Sequence, residues 1–164
     1  MWTHADAIIS TCGQYRYVLS RAWDITKDQL CFCMLNPSTA DALQDDPTIR
    51  RCINFAHAWG FGSLIVVNLF AYRSRDPSHL KMSYDPIGPH NDSAIYEAVI
   101  NSDLAIAAWG VHGQYQKRED IVMRLLSEMG CTMYHLGITK GGHPKHPLYL
   151  KRDVQPTPYL GVPK

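Results

Sequence analysis

Strand and helix patterns alternate along this chain, and the alternation predicts an α/β protein with a mainly parallel central sheet. Three observations carry the prediction. Four short, continuous apolar runs recur, the pattern of strands buried on both faces. Helix signals separate one run from the next. Each run ends in a polar or glycine-bearing loop.

The elements follow in order. Tyr15 to Arg21 mixes apolar and polar residues and reads as an extra N-terminal strand, antiparallel, joined to the first buried strand by a turn from Asp24 to Asp28. That first buried strand is Leu30–Leu35, closed by Asn36-Pro37. Asp46 then caps a helix, and Pro47 suits its first position because proline has no N–H to leave unpaired. Ile49, Cys52, Ile53 and Ala56 fall at i, i+3, i+4 and i+7, one face of a helix that Gly60 closes. Leu64–Phe70 is the second buried strand. A second helix starts near Asn91 and Asp92 and buries Ile95, Ala98 and Val99. Leu104–Trp109 is the third strand, stopped by Gly110. The third helix carries Val122, Leu125, Leu126 and Met129 on one face, with Lys117-Arg118-Glu119-Asp120 as its solvated start. Thr132–Leu136 is the fourth strand, running on toward Gly141-Gly142.

Composition narrows the function classes. A length of 164 residues suits one domain with one real core, so 1–164 reads as a single domain. With 46% apolar and 19% charged residues, the chain is globular rather than disordered. No apolar run approaches the ~18 residues that span a bilayer, so no membrane partner is expected. Met1 to Ser10 lacks the basic start and apolar stretch of a signal peptide, so a cytoplasmic setting with reduced cysteines is expected. The five cysteines form no C-x-x-C pair, and neither a metal nor another cofactor is expected. Net charge is +1, whereas a domain that tracks a long phosphate backbone by electrostatics is usually more basic. A nucleic-acid contact is therefore local, or the ligand small.

Ligands of open parallel sheets bind beyond the carboxyl ends of the strands, and the polar residues gather there. Asn36 and Ser38 follow the first run, Asn68 interrupts the second, and Tyr72, Arg73 and Arg75 come after it. Trp109 and His112 follow the third; His143, His146 and Tyr149 follow the fourth. Plainer readings stand beside these. Asn36-Pro37-Ser38 also suits a turn and cap. Asn68 sits in an apolar run, so its amide needs a partner, structural or otherwise. His143 and His146 have a metal-pair spacing, but the prolines beside them oppose helical ligand geometry.

The longer strings Met34-Leu35-Asn36-Pro37-Ser38-Thr39-Ala40-Asp41, Val67-Asn68-Leu69-Phe70-Ala71-Tyr72-Arg73 and His146-Pro147-Leu148-Tyr149 resemble a bacterial and phage family known only as a domain of unknown function. The order of the motifs also resembles the uracil-DNA glycosylase superfamily. Leu35-Asn36-Pro37-Ser38 stands at its first motif, Asn68 at its base-reading asparagine, Ala108-Trp109-Gly110 at its third strand end and His146-Pro147 at its last motif. Two positions depart from the pattern. Met34 or Leu35 replaces the opening glycine, and Leu148 replaces the serine that pinches a DNA phosphate, which weakens the case for duplex DNA.

The resemblance implies a three-layer α/β/α sandwich with strand order two-one-three-four. It also implies hydrolysis of an N-glycosidic bond in nucleic acid or a nucleotide. Asn36 would hold the water, and His146 would donate to the departing base. Asn68 would read the base edge with one donor and one acceptor. Phe70, Tyr72 and Trp109 compete to stack on the base, while Ser38, Arg73 and Arg75 are candidates for phosphate. A binding protein that keeps the pocket without turnover is the alternative. A metal-dependent hydrolase using His112, His143 or His146 with Asp45 or Asp46 ranks last.

Overall fold

A computed structural model describes residues 1–163. It is α/β: one seven-stranded sheet with helices on both faces. In chain order the strands are β1 (His4–Ile9), β2 (Arg16–Ala22), β3 (Gln29–Met34), β4 (Ser63–Asn68), β5 (Leu104–Ala107), β6 (Met133–His135) and β7 (Thr157–Tyr159). The helices are α1 (Pro47–Ala58), α2 (Asn91–Ile100) and α3 (Arg118–Glu128). Among the described residues, no helix is long and apolar enough to cross a membrane.

The four apolar runs are β3, β4, β5 and β6. They lie side by side as β4-β3-β5-β6 and pair in parallel. The sheet as a whole is mixed rather than mainly parallel. β1–β2, β2–β4 and β6–β7 are antiparallel, as many pairings as the parallel ones. The expected N-terminal strand is β2, hydrogen-bonded to β4. The two outermost strands were not expected. β7 is three residues with a central proline, which an edge strand tolerates because one side of its ladder is unpaired. β1 alternates exposed and half-buried positions with only a weakly apolar inner face.

Strand alternation divides the core. Leu30, Phe32, Leu64 and Val66 pack under α1 with Ile49, Cys52, Phe55 and Ala56. Cys31, Cys33 and Val67 face the other way, against Ile95, Ala98 and Val99 of α2 and Val122 and Leu126 of α3. Asp46 caps α1 by accepting the Ile49 N–H at 2.9 Å. At the start of α3, Lys117 and Asp120 are exposed, as the sequence suggested, but Arg118 and Glu119 are buried. The Arg118 guanidinium donates to the Leu69 carbonyl at 2.8 Å and pairs with Asp92, while Glu119 turns inward. Asn91, buried at the start of α2, donates to the carbonyls of Asn68 and Leu69. Two buried side chains thus hold the backbone at the carboxyl end of β4.

Candidate functional site

A cavity of about 660 Å³ opens at the carboxyl ends of β3, β4 and β5, on the α1 side of the sheet. Its position follows from strand period and helix direction. Leu64 and Val66 point under α1, so Asn68, two residues on, leaves the same face where the core ends. Met34, the register partner of Asn68, is the last α1-side residue of β3. The crossover from β3 to parallel β4 brings the first turn of α1 to this edge, so Asp46, Thr48 and Ile49 form one wall. The cavity gathers Asn36, Ser38, Asn68, Arg75, Trp109 and His146 from five separate stretches of chain.

Asn68 is 2% exposed, and its Nδ2 has no hydrogen-bond partner. A buried amide donor without a partner is costly, and an acceptor on a bound molecule would answer it. Asn36 gives its Nδ2 to the Ser74 carbonyl at 2.9 Å and the Pro37 carbonyl at 3.1 Å, so its capacity lies at Oδ1. Two bonds to loop carbonyls fix the plane of this amide. The His146 Nδ1 accepts the Leu148 N–H at 3.3 Å, which leaves the ring's proton on Nε2. Burial holds this imidazole below its ordinary pKa, against a smaller opposing pull from the Asp46 carboxylate. At neutral pH it is a neutral ring with one N–H to give.

Arg51 of α1 donates to the carbonyls of Pro147 and Leu150 and so ties the His146 loop to the helix. Tyr149, 83% exposed, stands at the rim with its ring centroid 5.6 Å from that of His146. Asp46 is the one carboxylate among the described residues lining the cavity.

The other expected residues are placed differently. Trp109 belongs to the wall, but its indole is packed in the core edge-on to Tyr159, and its Nε1 donates to Glu119 at 2.9 Å. Glu119, 4% exposed, also meets the His143 Nδ1 at 2.9 Å. This removes His143 from any pairing with His146. Phe70 is fully buried against Tyr115 and does not line the cavity. Tyr72 lies edge-on to Tyr15 in a neighbouring groove of about 460 Å³, which also holds Arg73 and shares Ser38, Ser74 and Arg75 with the cavity. Arg73 donates there to the Gly13 carbonyl at 3.2 Å. The physical reason is a change of direction after Asn68: the Leu69 and Phe70 side chains enter the α2–α3 core, so the strand's alternation does not carry them to the cavity. Tyr149 is the aromatic ring that the cavity presents to solvent, and the run His146-Pro147-Leu148-Tyr149 already held that signal.

Arg16 is the functional candidate that sequence reasoning missed. It is 2% exposed and lines the cavity. A β-bulge puts it there: Ile8 pairs with Val18 but Ile9 pairs with Arg16, so β2 carries one extra residue. Tyr17 and Val18 consequently both line a groove on the α2 side, and Arg16 turns to the α1 side. Burial lowers its guanidinium pKa to about 10, still charged at neutral pH. That α2-side groove, about 810 Å³, is larger but holds none of the strand-end residues. Among the described residues, no group of three or more His, Cys, Asp or Glu converges to hold a metal ion.

Residues 16–148 match the model of one protein family, described as "Protein of unknown function (DUF1643)". No curated protein and no solved structure matches the chain.

Proposed function

The chain belongs to this DUF1643 family of unknown function, and from its pocket we propose a hydrolase that binds a nucleobase and cleaves its N-glycosidic bond. The observation that carries the reading is the buried, unpartnered Asn68 amide at the wall of a cavity of about 660 Å³, a size suited to a nucleoside or nucleotide. An amide there reads a base edge with its donor and acceptor together. The resemblance in motif order to the uracil-DNA glycosylase superfamily supports the same assignment.

In this reading the Asn36 Oδ1 accepts a hydrogen bond from a water and positions it for attack on the anomeric carbon. The bond from that carbon to the base nitrogen breaks with its electron pair going to the base. The Nε2–H of neutral His146 stabilises the charge that develops there. An amide cannot take the water's proton, so Asp46 receives it. One Asp46 oxygen is engaged by the Ile49 N–H, and the other is the acceptor. Tyr149 supplies the stacking face.

The test is base release by chromatography beside ligand affinity by calorimetry, across nucleosides and nucleotides. Asp46→Asn keeps a good helix cap but removes the base, so turnover should fall 100-fold or more with stability nearly unchanged. Asn36→Ala should also cut turnover while sparing affinity. A second reading, a binding protein without turnover, is favoured by Asn36 being an amide where a carboxylate would act directly. Wild-type binding with no base release would establish it, and loss of selectivity among bases in neither Asn68→Ala nor Asn68→Asp would end both.

A further inference from the structure

β2 carries two buried arginines on its α1 side, and they are treated very differently. Arg21, 1% exposed, has an answering group for each nitrogen of its guanidinium. Its Nε pairs with Asp45 at 2.8 Å, its Nη1 donates to the Ser20 carbonyl, and its Nη2 donates to the Asp41 carbonyl. Arg16 is equally buried, yet it makes a single side-chain hydrogen bond, from Nη1 to the Ala40 carbonyl at 2.6 Å. Its Nε is buried with no partner, and among the described residues no carboxylate lies within 4.0 Å of it. The Asp46 carboxylate lines the same cavity but is turned to the helix start, on the Ile49 N–H.

Asp46 and Asp41 act on Arg16 only from beyond ion-pair distance, and a buried guanidinium with no carboxylate in contact is among the more expensive features a fold can retain. It is retained by a bulge in β2 that specifically aims the side chain at the cavity. Arginine is also the cation whose fork matches an oxyanion with two parallel hydrogen bonds. We propose that the Arg16 guanidinium is the seat of an oxyanion on the ligand, and that the ligand is a mononucleotide whose phosphate sits on Arg16 while its base meets Asn68. This rests on the base-binding reading above and adds the ligand's charge. Ser38 and Arg75, on the same lining, are within the set that would close around such a phosphate. Depth argues for a free nucleotide over a strand. Arg16 is at the buried wall of the cavity, whereas Arg75 is exposed and Arg73 belongs to the neighbouring groove.

The experiment uses the full chain with inorganic phosphate, the ribonucleoside 5′-monophosphates, their nucleosides, and orotate as a base bearing a carboxylate. Thermal shift and calorimetry are run on the wild type, Arg16→Met and Asn68→Ala. Each monophosphate should bind the wild type at least 10-fold tighter than its nucleoside. Arg16→Met should erase that difference, and its melting temperature without ligand should equal or exceed that of the wild type, because an uncompensated buried charge has been replaced by an apolar chain. Phosphate should stabilise the wild type and Asn68→Ala but not Arg16→Met. Arg16-dependent binding of orotate, with no preference for monophosphates, would keep the oxyanion seat and identify its source as a carboxylate. Equal affinity for nucleosides and monophosphates with no response to orotate, or unaltered phosphate binding by Arg16→Met, would overturn the proposal. If Arg16→Met melts well below the wild type and Arg16→Lys restores stability but no preference for phosphate, the arginine is structural and the proposal fails. Loss of base selectivity in Asn68→Ala bears only on the base-binding reading, so the two fail separately.

Discussion

Asn68 and His146 are the two side chains on which the proposed function makes its sharpest demands. The Asn68 Nδ2 supports nothing in the protein, so removing it has an unusual expected signature. Asn68→Ala should leave stability in denaturant nearly unchanged, where a structural amide would give up about 1 kcal/mol or more. Ligand affinity should nevertheless fall by roughly 1–3 kcal/mol, or about 5- to 150-fold. Asn68→Asp, which offers acceptors only, should shift preference toward bases presenting an amino group. The imidazole of His146 has its pKa lowered by burial from an ordinary 6.5, and that of His135 is lowered by the same cause. Each ring also accepts a backbone N–H at Nδ1, from Leu148 and Gly137 respectively. A folded-state pKa below the unfolded one means that the unfolded chain binds more protons between the two values. The stabilising contribution is therefore complete above about pH 6.5 and is lost as pH falls from there toward the depressed value. His146→Asn keeps a capping side chain at this position and should flatten part of that acid slope, as read from melting temperature against pH.

At the scale of elements, the third helix and the last loop are joined through one buried carboxylate. Glu119 accepts from the Trp109 indole and meets His143, so the end of β5, the start of α3 and the glycine-rich turn meet at one group. Glu119→Ala should lower unfolding free energy by about 3–5 kcal/mol, because it leaves two buried polar partners behind. Glu119→Gln, which can still accept from the indole, should recover much of that loss in urea titrations. The Pro147–Tyr149 turn depends in the same manner on Arg51, whose guanidinium also lies 4.7 Å from the centre of the Phe55 ring. Helix α1 thereby serves the cavity twice, through its capped first turn and through the arginine that holds the His146 loop. The pattern of α1 was legible because Asp46, Pro47 and the apolar spacing agree with one another. The burial of Arg118 and Glu119 was not, since a charged tetrapeptide reads as solvated until its partners, Asp92 and His143, are brought beside it by the fold.

Across the whole molecule, the charge distribution bears on the scale of the proposed ligand. A net charge of +1 gives no broad positive field. The cationic groups at the cavity and groove are Arg16, Arg73, Arg75 and Lys145, a local set. Affinity for a mononucleotide should consequently fall shallowly with salt, with a log–log slope of about −1 to −2. A protein making 6–10 backbone phosphate contacts has a slope several times steeper. A slope near −5 or beyond, measured on a short oligonucleotide that also outcompetes mononucleotides, would show that a strand is the ligand.

The sequence by itself determined the α/β class, the four parallel strands, the capped first helix, and the convergence of Asn36, Asn68 and His146 at one edge. Each of these rests on local periodicity or on the end of a periodic run, and such information is contained within a few neighbouring residues. Only the tertiary structure decided the mixed sheet, because a three-residue edge strand such as β7 is stabilised by the strand it meets and not by its own pattern. It likewise decided which side chains are offered to the cavity and which are turned into the core. Phe70 and Trp109 are drawn into the core by packing partners far away in the chain, and Arg16 is turned toward the cavity by one extra residue in its pairing with β1. A bulge is a property of two strands in register, so neither strand's sequence contains it alone.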